Sequence, residues 1–174
     1  MNADIFNYAM GILGIIGFIL TIVGLVLTVR TIKKKDPTYS IKSINVISDY
    51  ATKYKNLTVA YEDSKVENFT VSKILFYNRG RETITKQDTD TINPISIVSY
   101  EYDILDASIL QVNKQSNNFK IDIEDLDIVN ITFDYLDKNQ GAVIQVVHTG
   151  LSSDDLIVGG DIKGHLFACQ SPSL

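Results

Sequence analysis

The sequence predicts a mainly β protein in which one N-terminal transmembrane helix precedes an antiparallel, immunoglobulin-like β-sandwich. Two observations predict it: an uncharged apolar run of 21 residues near the N-terminus, and short alternating strands separated by polar turns from about residue 56 onward. The expected layout is a short external N-terminus at 1–8, the helix at 9–29, a basic linker at 30–55, the sandwich at 56–165 and a tail at 166–174.

The composition excludes several classes of protein. With 45% hydrophobic residues among 174, the chain has the apolar content of an ordered globular protein. Its one cysteine excludes an intramolecular disulfide framework and a multi-cysteine metal site, and two histidines exclude most histidine-rich metal centres. We therefore expect neither a metal nor a cofactor.

The apolar run from Ala9 to Val29 has the length of a membrane span, because 21 helical residues extend about 30 Å. It does not resemble a cleaved signal peptide, since no Lys or Arg precedes it and no small-residue cleavage site follows it. Only Asp4 is charged before the run, whereas Arg30 and Lys33–Lys35 follow it. Positive residues stay cytoplasmic, so we expect a single-pass protein of the cell inner membrane with its N-terminus outside and its β-domain in the cytoplasm.

A stripe of small or polar residues recurs along the helix with alternating spacings of three and four. Such residues share one helix face and let two helix backbones approach closely in lipid. The stripe predicts a homo-oligomer; a pore lined by Gly and Thr, with the first of these residues at its outer mouth, and a monomeric glycine-rich anchor are the alternatives. The residues expected to mediate self-association or line the pore are Asn7, Gly14, Gly17, Thr21, Gly24 and Thr28.

The charges divide into two regions of opposite sign. Residues 30–55 carry a net charge of +5, and residues 56–174 carry −9. The basic segment suits anionic headgroups, or less readily the phosphate of a nucleotide or nucleic acid, while the acidic remainder disfavours nucleic-acid binding over its general surface. The predicted membrane-surface or phosphate contacts are Arg30, Lys33, Lys34, Lys35, Tyr50, Lys53, Tyr54 and Lys55.

Period-two alternation predicts eight or nine strands in the second part of the chain, strongest over residues 69–77. Residues 39–46 are expected to add an edge strand or a lead-in. The strands at 129–135 and 142–147 flank a turn-rich segment, Asp137–Gly141, and are expected to form a hairpin. Short strands at close spacing are typical of two packed antiparallel sheets, with a β-barrel as the alternative.

No pattern of catalytic residues stands out in this region. His148 is followed closely by Ser152 and Asp155, but the strained elbow of a serine hydrolase is missing, so a structural, hydrogen-bonded histidine is expected. The acids of residues 122–127 do not have the spacing of an EF-hand and are expected on a solvated face. The sequence therefore predicts that the protein is not an enzyme.

The succession of apolar helix, basic segment and β-domain resembles that of small membrane effectors of bacterial antiphage operons, among them the Hailong channel protein. This resemblance of layout implies a cytoplasmic sensor that controls a membrane disruptor or ion channel, with a nucleotide or oligonucleotide as regulator. The alternative is a non-conducting, membrane-tethered scaffold that recruits a protein through its sheet edge or loops. The expected partners are the lipid bilayer, further copies of the chain, and a regulatory protein or nucleotide ligand.

Overall fold

A computed structural model describes residues 3–31, 33–47, 60–62 and 64–165 of the chain. The chain divides into two compact units, Met1–Lys33 and Lys34–Leu174. The described part of the first unit is one apolar helix, and that of the second is built from antiparallel β-sheets, so the protein is mainly β.

Helix α1 spans Ala3–Thr31. Its segment Phe6–Val29 has a mean hydropathy of 2.8, is long and apolar enough to cross a membrane, and is not buried inside the protein. The hydroxyls of Thr21 and Thr28 donate hydrogen bonds to the carbonyls four residues earlier, at 2.8 and 2.9 Å. These two polar groups therefore find acceptors within their own helix and need no outside partner in an apolar environment.

The second unit contains twelve described strands, most of them short. They are β1 (Pro37–Ile47), β2 (Ala60–Tyr61), β3 (Ser64–Lys65), β4 (Phe69–Asn78), β5 (Ile84–Thr85), β6 (Ser96–Val98), β7 (Ile104–Val112), β8 (Lys120–Glu124), β9 (Ile128–Thr132), β10 (Tyr135–Leu136), β11 (Gly141–His148) and β12 (Ile157–Gly159). One four-stranded sheet has the order β1-β4-β11-β7, and the other has the order β12-β6-β9-β8. Two small pairs, β2 with β3 and β5 with β10, complete the pairing of the described strands.

The two four-stranded sheets contribute to one hydrophobic core. Along β4 every second residue from Thr70 to Asn78 is buried, which is the alternation expected of a strand with one covered face. Ile74 and Phe76 of this strand join Ile97 and Val129 of the other sheet in the same buried cluster. Each such side chain stabilises the fold by about 1.5–3 kcal/mol through removal from water.

The strong strand predicted over 69–77 is confirmed as β4, and the segment at 39–46 lies within β1 at the edge of its sheet. The predicted hairpin is wrong. Strands β9 and β11 lie in different sheets. Directly after β9, the Phe133 side chain enters the core and the Asp134 amide donates to the carbonyl of Asn117, so the chain leaves the strand before it reaches the predicted turn. The predicted tail at 166–174 and the last part of the predicted linker lie outside the described residues.

The register of β1, β4 and β11 defines two ends of the larger sheet. Pro37 pairs with Asn78 at the end where the chain enters from Lys34, which we call the entry end. Thr70 pairs with His148 at the opposite end, which we call the far end. Thr70 and Asn78 are eight residues apart along β4, so the two ends are about 27 Å apart.

Candidate functional site

The stripe of small and polar residues lies on one side of α1, as its spacing predicts. Asn7 and all five Gly and Thr positions are exposed within this chain. A Cβ atom added at Gly14, Gly17 or Gly24 would meet nothing within 4 Å beyond the neighbouring helix backbone. Within the described residues, a Cβ atom at these positions would therefore meet no steric obstacle.

The predicted basic contacts have different surroundings. Arg30 is in the last turn of α1, and Lys33 and Lys34 are exposed. Lys35 instead has a side chain only 14% exposed, with Nζ 2.8 Å from the carboxylate of Asp88 and 3.8 Å from that of Glu82. Its ammonium is therefore engaged within the β-domain. The remaining predicted contacts, Tyr50, Lys53, Tyr54 and Lys55, lie outside the described residues.

Asp88 is held in its charged form by its neighbours. Burial opposes its ionisation, but hydrogen bonds from Lys35 at 2.8 Å, from the Thr85 amide at 2.7 Å and from the Thr85 hydroxyl at 2.9 Å keep its pKa below the ordinary value. Lys35 thus ties the segment that follows the helix to the β5 region of the domain.

A groove with a volume of about 450 Å³ lies at the far end. One of its walls comes from the β2–β3 hairpin and residues 66–68, and another comes from residues 102–105. This volume falls in the range of pockets that hold small ligands or the side chains of a partner. The residues that line it are Tyr61, Glu62, Lys65, Val66, Glu67, Asn68, Tyr102, Asp103, Leu105, Leu126 and Thr149.

The lining of the groove combines apolar and aromatic side chains with negative charge. The Tyr61 ring packs against Phe69, with ring centroids 6.3 Å apart. The pKa of its phenol is raised by partial loss of solvent, and also by the charges of Asp106 and Glu62. The residues that line the groove include three carboxylates, among them Glu62, and one ammonium. Such a surface suits a cationic group on an apolar stem, such as a lysine or arginine side chain.

Backbone hydrogen bonds bring three separate turns together beside the groove. The Ser99 amide donates to Asp127 at 2.9 Å, and the Thr149 amide donates to Asp103 at 2.9 Å. The side chain of Thr149 also accepts from the Asp103 amide at 3.0 Å. Tyr100, which follows Ser99 in the chain and is 78% exposed, lines a neighbouring hollow.

The groove was not predicted from the sequence. Its tyrosines and acids come from segments about 40 residues apart, and only the sheet pairing juxtaposes them. The one available signal was the run from Tyr100 to Asp103, in which tyrosines and acids alternate.

His148 is a buried, hydrogen-bonded histidine, as predicted. It is 0% exposed, its Nδ1 accepts from the Gly150 amide at 3.2 Å, and its Nε2 lies 2.8 Å from the Ser72 hydroxyl. Ser72 in turn lies 2.6 Å from the Ser43 hydroxyl on the edge strand. Burial lowers the pKa of His148, with Asp155 acting in the opposite sense, so the ring is neutral near pH 7.

Metal binding has no support from the described part of the chain, where no three His, Cys, Asp or Glu side chains are arranged to hold an ion. No family model, curated protein or solved structure matches this chain.

Proposed function

We propose that the protein is a membrane-anchored effector or ion channel that self-associates through α1 and senses a ligand or partner through its β-domain. The observation that carries the proposal is the segment Phe6–Val29, an apolar helix with none of its length buried in the protein. Leaving such a surface in water costs about 25 cal/mol for every Å² of apolar area, so the helix requires an apolar environment.

The helix placement is proposed as a single span of the cell inner membrane, with the β-domain in the cytoplasm. Support comes from the charges on either side, because Arg30, Lys33 and Lys34 follow the apolar segment and only Asp4 precedes it. A β-domain with its own buried core can then act on the cytoplasmic side as an independent unit.

Self-association is proposed through the stripe that includes Gly14, Gly17 and Gly24. Their empty surroundings leave room for a second helix, whose close approach would add van der Waals contacts in lipid. In a larger assembly the same stripe would line a pore with Asn7 at its outer mouth. This arrangement agrees with the layout shared with the small membrane effectors of bacterial antiphage operons.

The β-domain is proposed to be a sandwich of two sheets, with sensing at the far-end groove. Its strand order differs from that of an immunoglobulin domain, whose sheets have the orders ABED and CFG. Here β4 pairs with β1 on one side and on the other with β11, which is the next to last of the described strands. The acidic lining of the groove favours a basic partner there over a nucleotide.

The decisive experiment compares Gly17→Leu with Gly11→Leu in the full chain. Both glycines lie in α1 with nothing near their added Cβ atoms, but only Gly17 belongs to the stripe. We expect Gly17→Leu to convert oligomers to monomers in detergent and to abolish ion leakage from proteoliposomes. Gly11→Leu should leave both unchanged.

Other outcomes decide against parts of the proposal. Equal behaviour of the two variants would exclude association through the stripe. Recovery of the wild-type chain in the soluble fraction after alkaline washing of membranes would exclude the membrane placement.

A membrane-tethered scaffold is the second candidate, and the far-end groove is the observation that favours it. A scaffold needs no pore, so the wild-type protein would form oligomers or monomers without leakage. Gly17→Leu would then leave partner capture intact, whereas substitutions in the groove would abolish it.

A further inference from the structure

The loop between β4 and β5 is bonded directly to the segment that follows the helix. The Arg79 amide donates to the carbonyl of Asp36 at 2.8 Å. The amides of Arg81 and Glu82 both donate to the carbonyl of Lys34, at 3.0 and 3.2 Å. Three backbone hydrogen bonds therefore hold residues 79–82 against residues 34–36.

One buried side chain fixes the shape of this loop. Asn78 is 0% exposed, and its Oδ1 accepts from the amides of Asp36 at 3.3 Å and Gly80 at 2.9 Å. Its Nδ2 donates to the carbonyls of Glu82 at 2.8 Å and Leu136 at 3.0 Å. These four bonds use the whole hydrogen-bonding capacity of an amide side chain.

Gly80 is the point of closest approach between the loop and the entry segment. A Cβ atom at this position would clash with the carbonyl oxygen of Lys34 and would lie 2.6 Å from the Asp36 nitrogen. Both atoms belong to the backbone and cannot turn aside as a side chain would. Only glycine therefore permits the observed contact.

Lys34 is joined to α1 by a short stretch of chain. Lys34 is three residues beyond Thr31, the last residue of the helix, and three residues extend at most about 10 Å. With α1 in the bilayer, which is the proposed function on which this inference rests, Lys34 lies at the headgroups. The loop that is bonded to Lys34 then lies there too.

The loop brings two guanidinium groups to this position. Arg79, with its side chain 58% exposed, directs Nε to the Asp36 carboxylate at 2.9 Å and Nη2 at 3.5 Å. A guanidinium has five N–H donors, so further donors remain for an anion. Arg81 and Lys34 are both exposed. Among the residues joined by these contacts, four cations (34, 35, 79 and 81) and three carboxylates (36, 82 and 88) give a net charge of +1.

We propose that Arg79 and Arg81, together with Lys34, bind the phosphate of anionic phospholipid headgroups at the entry end. Guanidinium groups recognise phosphate through paired N–H donors, and each cation near an anionic surface contributes about a five-fold gain in affinity. Soluble phosphate has the same chemistry and is the other possible source of the ligand.

The test uses the full chain in neutral detergent and counts bound lipids by native mass spectrometry. We expect phosphatidylglycerol to bind more tightly than phosphatidylcholine, and the double variant Arg79→Gln/Arg81→Gln to lose up to about 30-fold of that affinity. The matched control is Lys42→Gln/Lys73→Gln, which removes two cations that pair directly across β1 and β4. This control should retain the preference.

A charge-preserving variant tests the geometry. Gly80→Ala keeps every cation but forces the loop away from Lys34, so it should lose the preference as the double arginine variant does. Circular dichroism checks that the β-sheet signal of each variant is intact. A Gly80→Ala protein that is folded and still prefers phosphatidylglycerol would show that placement of the loop is irrelevant and would overturn the proposal.

Three further outcomes contradict the inference in different ways. Equal binding of the two lipids by a membrane-inserted wild-type chain overturns it while leaving the proposed function intact. Equal losses of affinity for phosphatidylglycerol in the arginine and lysine double variants would show that binding depends on net charge and not on the loop. Binding of inorganic phosphate that depends on Arg79 and Arg81, without any lipid preference, assigns the surface to a soluble anion instead. Failure of the wild-type chain to enter membranes contradicts the proposed function itself.

Discussion

The two ends of the β-domain use their charged residues in different ways. At the entry end, acids and bases are paired: Lys35 with Asp88 at 2.8 Å and Arg79 with Asp36 at 2.9 Å. At the far end, the groove and the hollows beside it are lined by several carboxylates and, among the described lining residues, by the single ammonium of Lys65.

The entry end therefore uses its acids to hold chain segments together, whereas the carboxylates of the far end line an open surface. The paired charges and the fully used hydrogen bonds of Asn78 restrict the conformation of the entry end, where the second unit begins. Carboxylates of like sign beside exposed aromatic rings do little for stability and leave a surface suited to a cationic partner. The largest effects on folding should therefore come from the entry end.

The largest expected effect is that of Asn78→Ala, which removes a buried amide with four hydrogen bonds. Leaving these backbone groups without partners should lower the free energy of unfolding by about 3 kcal/mol or more. Thermal unfolding of the full chain in detergent, followed by circular dichroism, measures the change. Asn93→Ala is the control, because its exposed Nδ2 makes one bond, to Asp161 at 3.0 Å. Similar losses in both variants would contradict the special role of the entry end.

An intermediate effect is expected at the far end from acid. The pKa of His148 is lowered in the folded protein, so below about pH 6.5 the unfolded chain binds a proton that the folded chain does not. Stability should therefore fall as the pH decreases below 6.5, by at most about 1.4 kcal/mol per pH unit, until the pH reaches the folded-state pKa. Unfolding midpoints measured between pH 7.5 and 5.5 test this.

The matching variant for the acid effect is His148→Gln, which removes the titrating group. Gln can keep a hydrogen bond to Ser72, so the variant should lose most of the pH dependence in this range even if its stability is lower throughout. A wild-type protein whose stability is constant between pH 7.5 and 5.5 would show that the pKa of His148 is not lowered in the folded protein.

The smallest effect on folding is expected from the groove. Glu67→Gln should change the free energy of unfolding by less than about 0.5 kcal/mol, because exposed surface substitutions rarely do more. It should, however, weaken binding of an arginine-leucine peptide several-fold, as measured by calorimetry with the full chain. Asp122→Asn, an equal charge change on exposed strand β8, is the control. Equal weakening by both variants would mean that the peptide responds to net charge and not to the groove.

Much of the secondary structure was predictable because it depends on local patterns. The uncharged run defines α1, and the burial of every second residue defines β4. The pairing of strands was less predictable, as the wrong hairpin between 129–135 and 142–147 shows. Two strands joined by a turn-rich segment can either pair or separate into two sheets, and the choice depends on where Phe133 packs rather than on the turn itself.

The candidate sites also divide into those that depend on local patterns and those that depend on contacts between distant residues. The helix stripe could be found from spacing alone, because residues three and four apart share a helix face whatever the rest of the chain does. Lys35 was grouped with its basic neighbours in the sequence, but the position of Asp88, 53 residues later, sets it apart. The contribution of Arg79 and Arg81 depends on backbone hydrogen bonds to a segment more than 40 residues earlier.

The apolar helix, the charge division and the β-rich character of the second unit can all be read from the sequence, since each follows from composition or from periods of two to four residues. The pairing of the cations, the meeting of loops at the entry end and the groove at the far end depend on the tertiary structure. A contact between residues distant along the chain requires the packing of all the strands between them, and no local pattern records that packing.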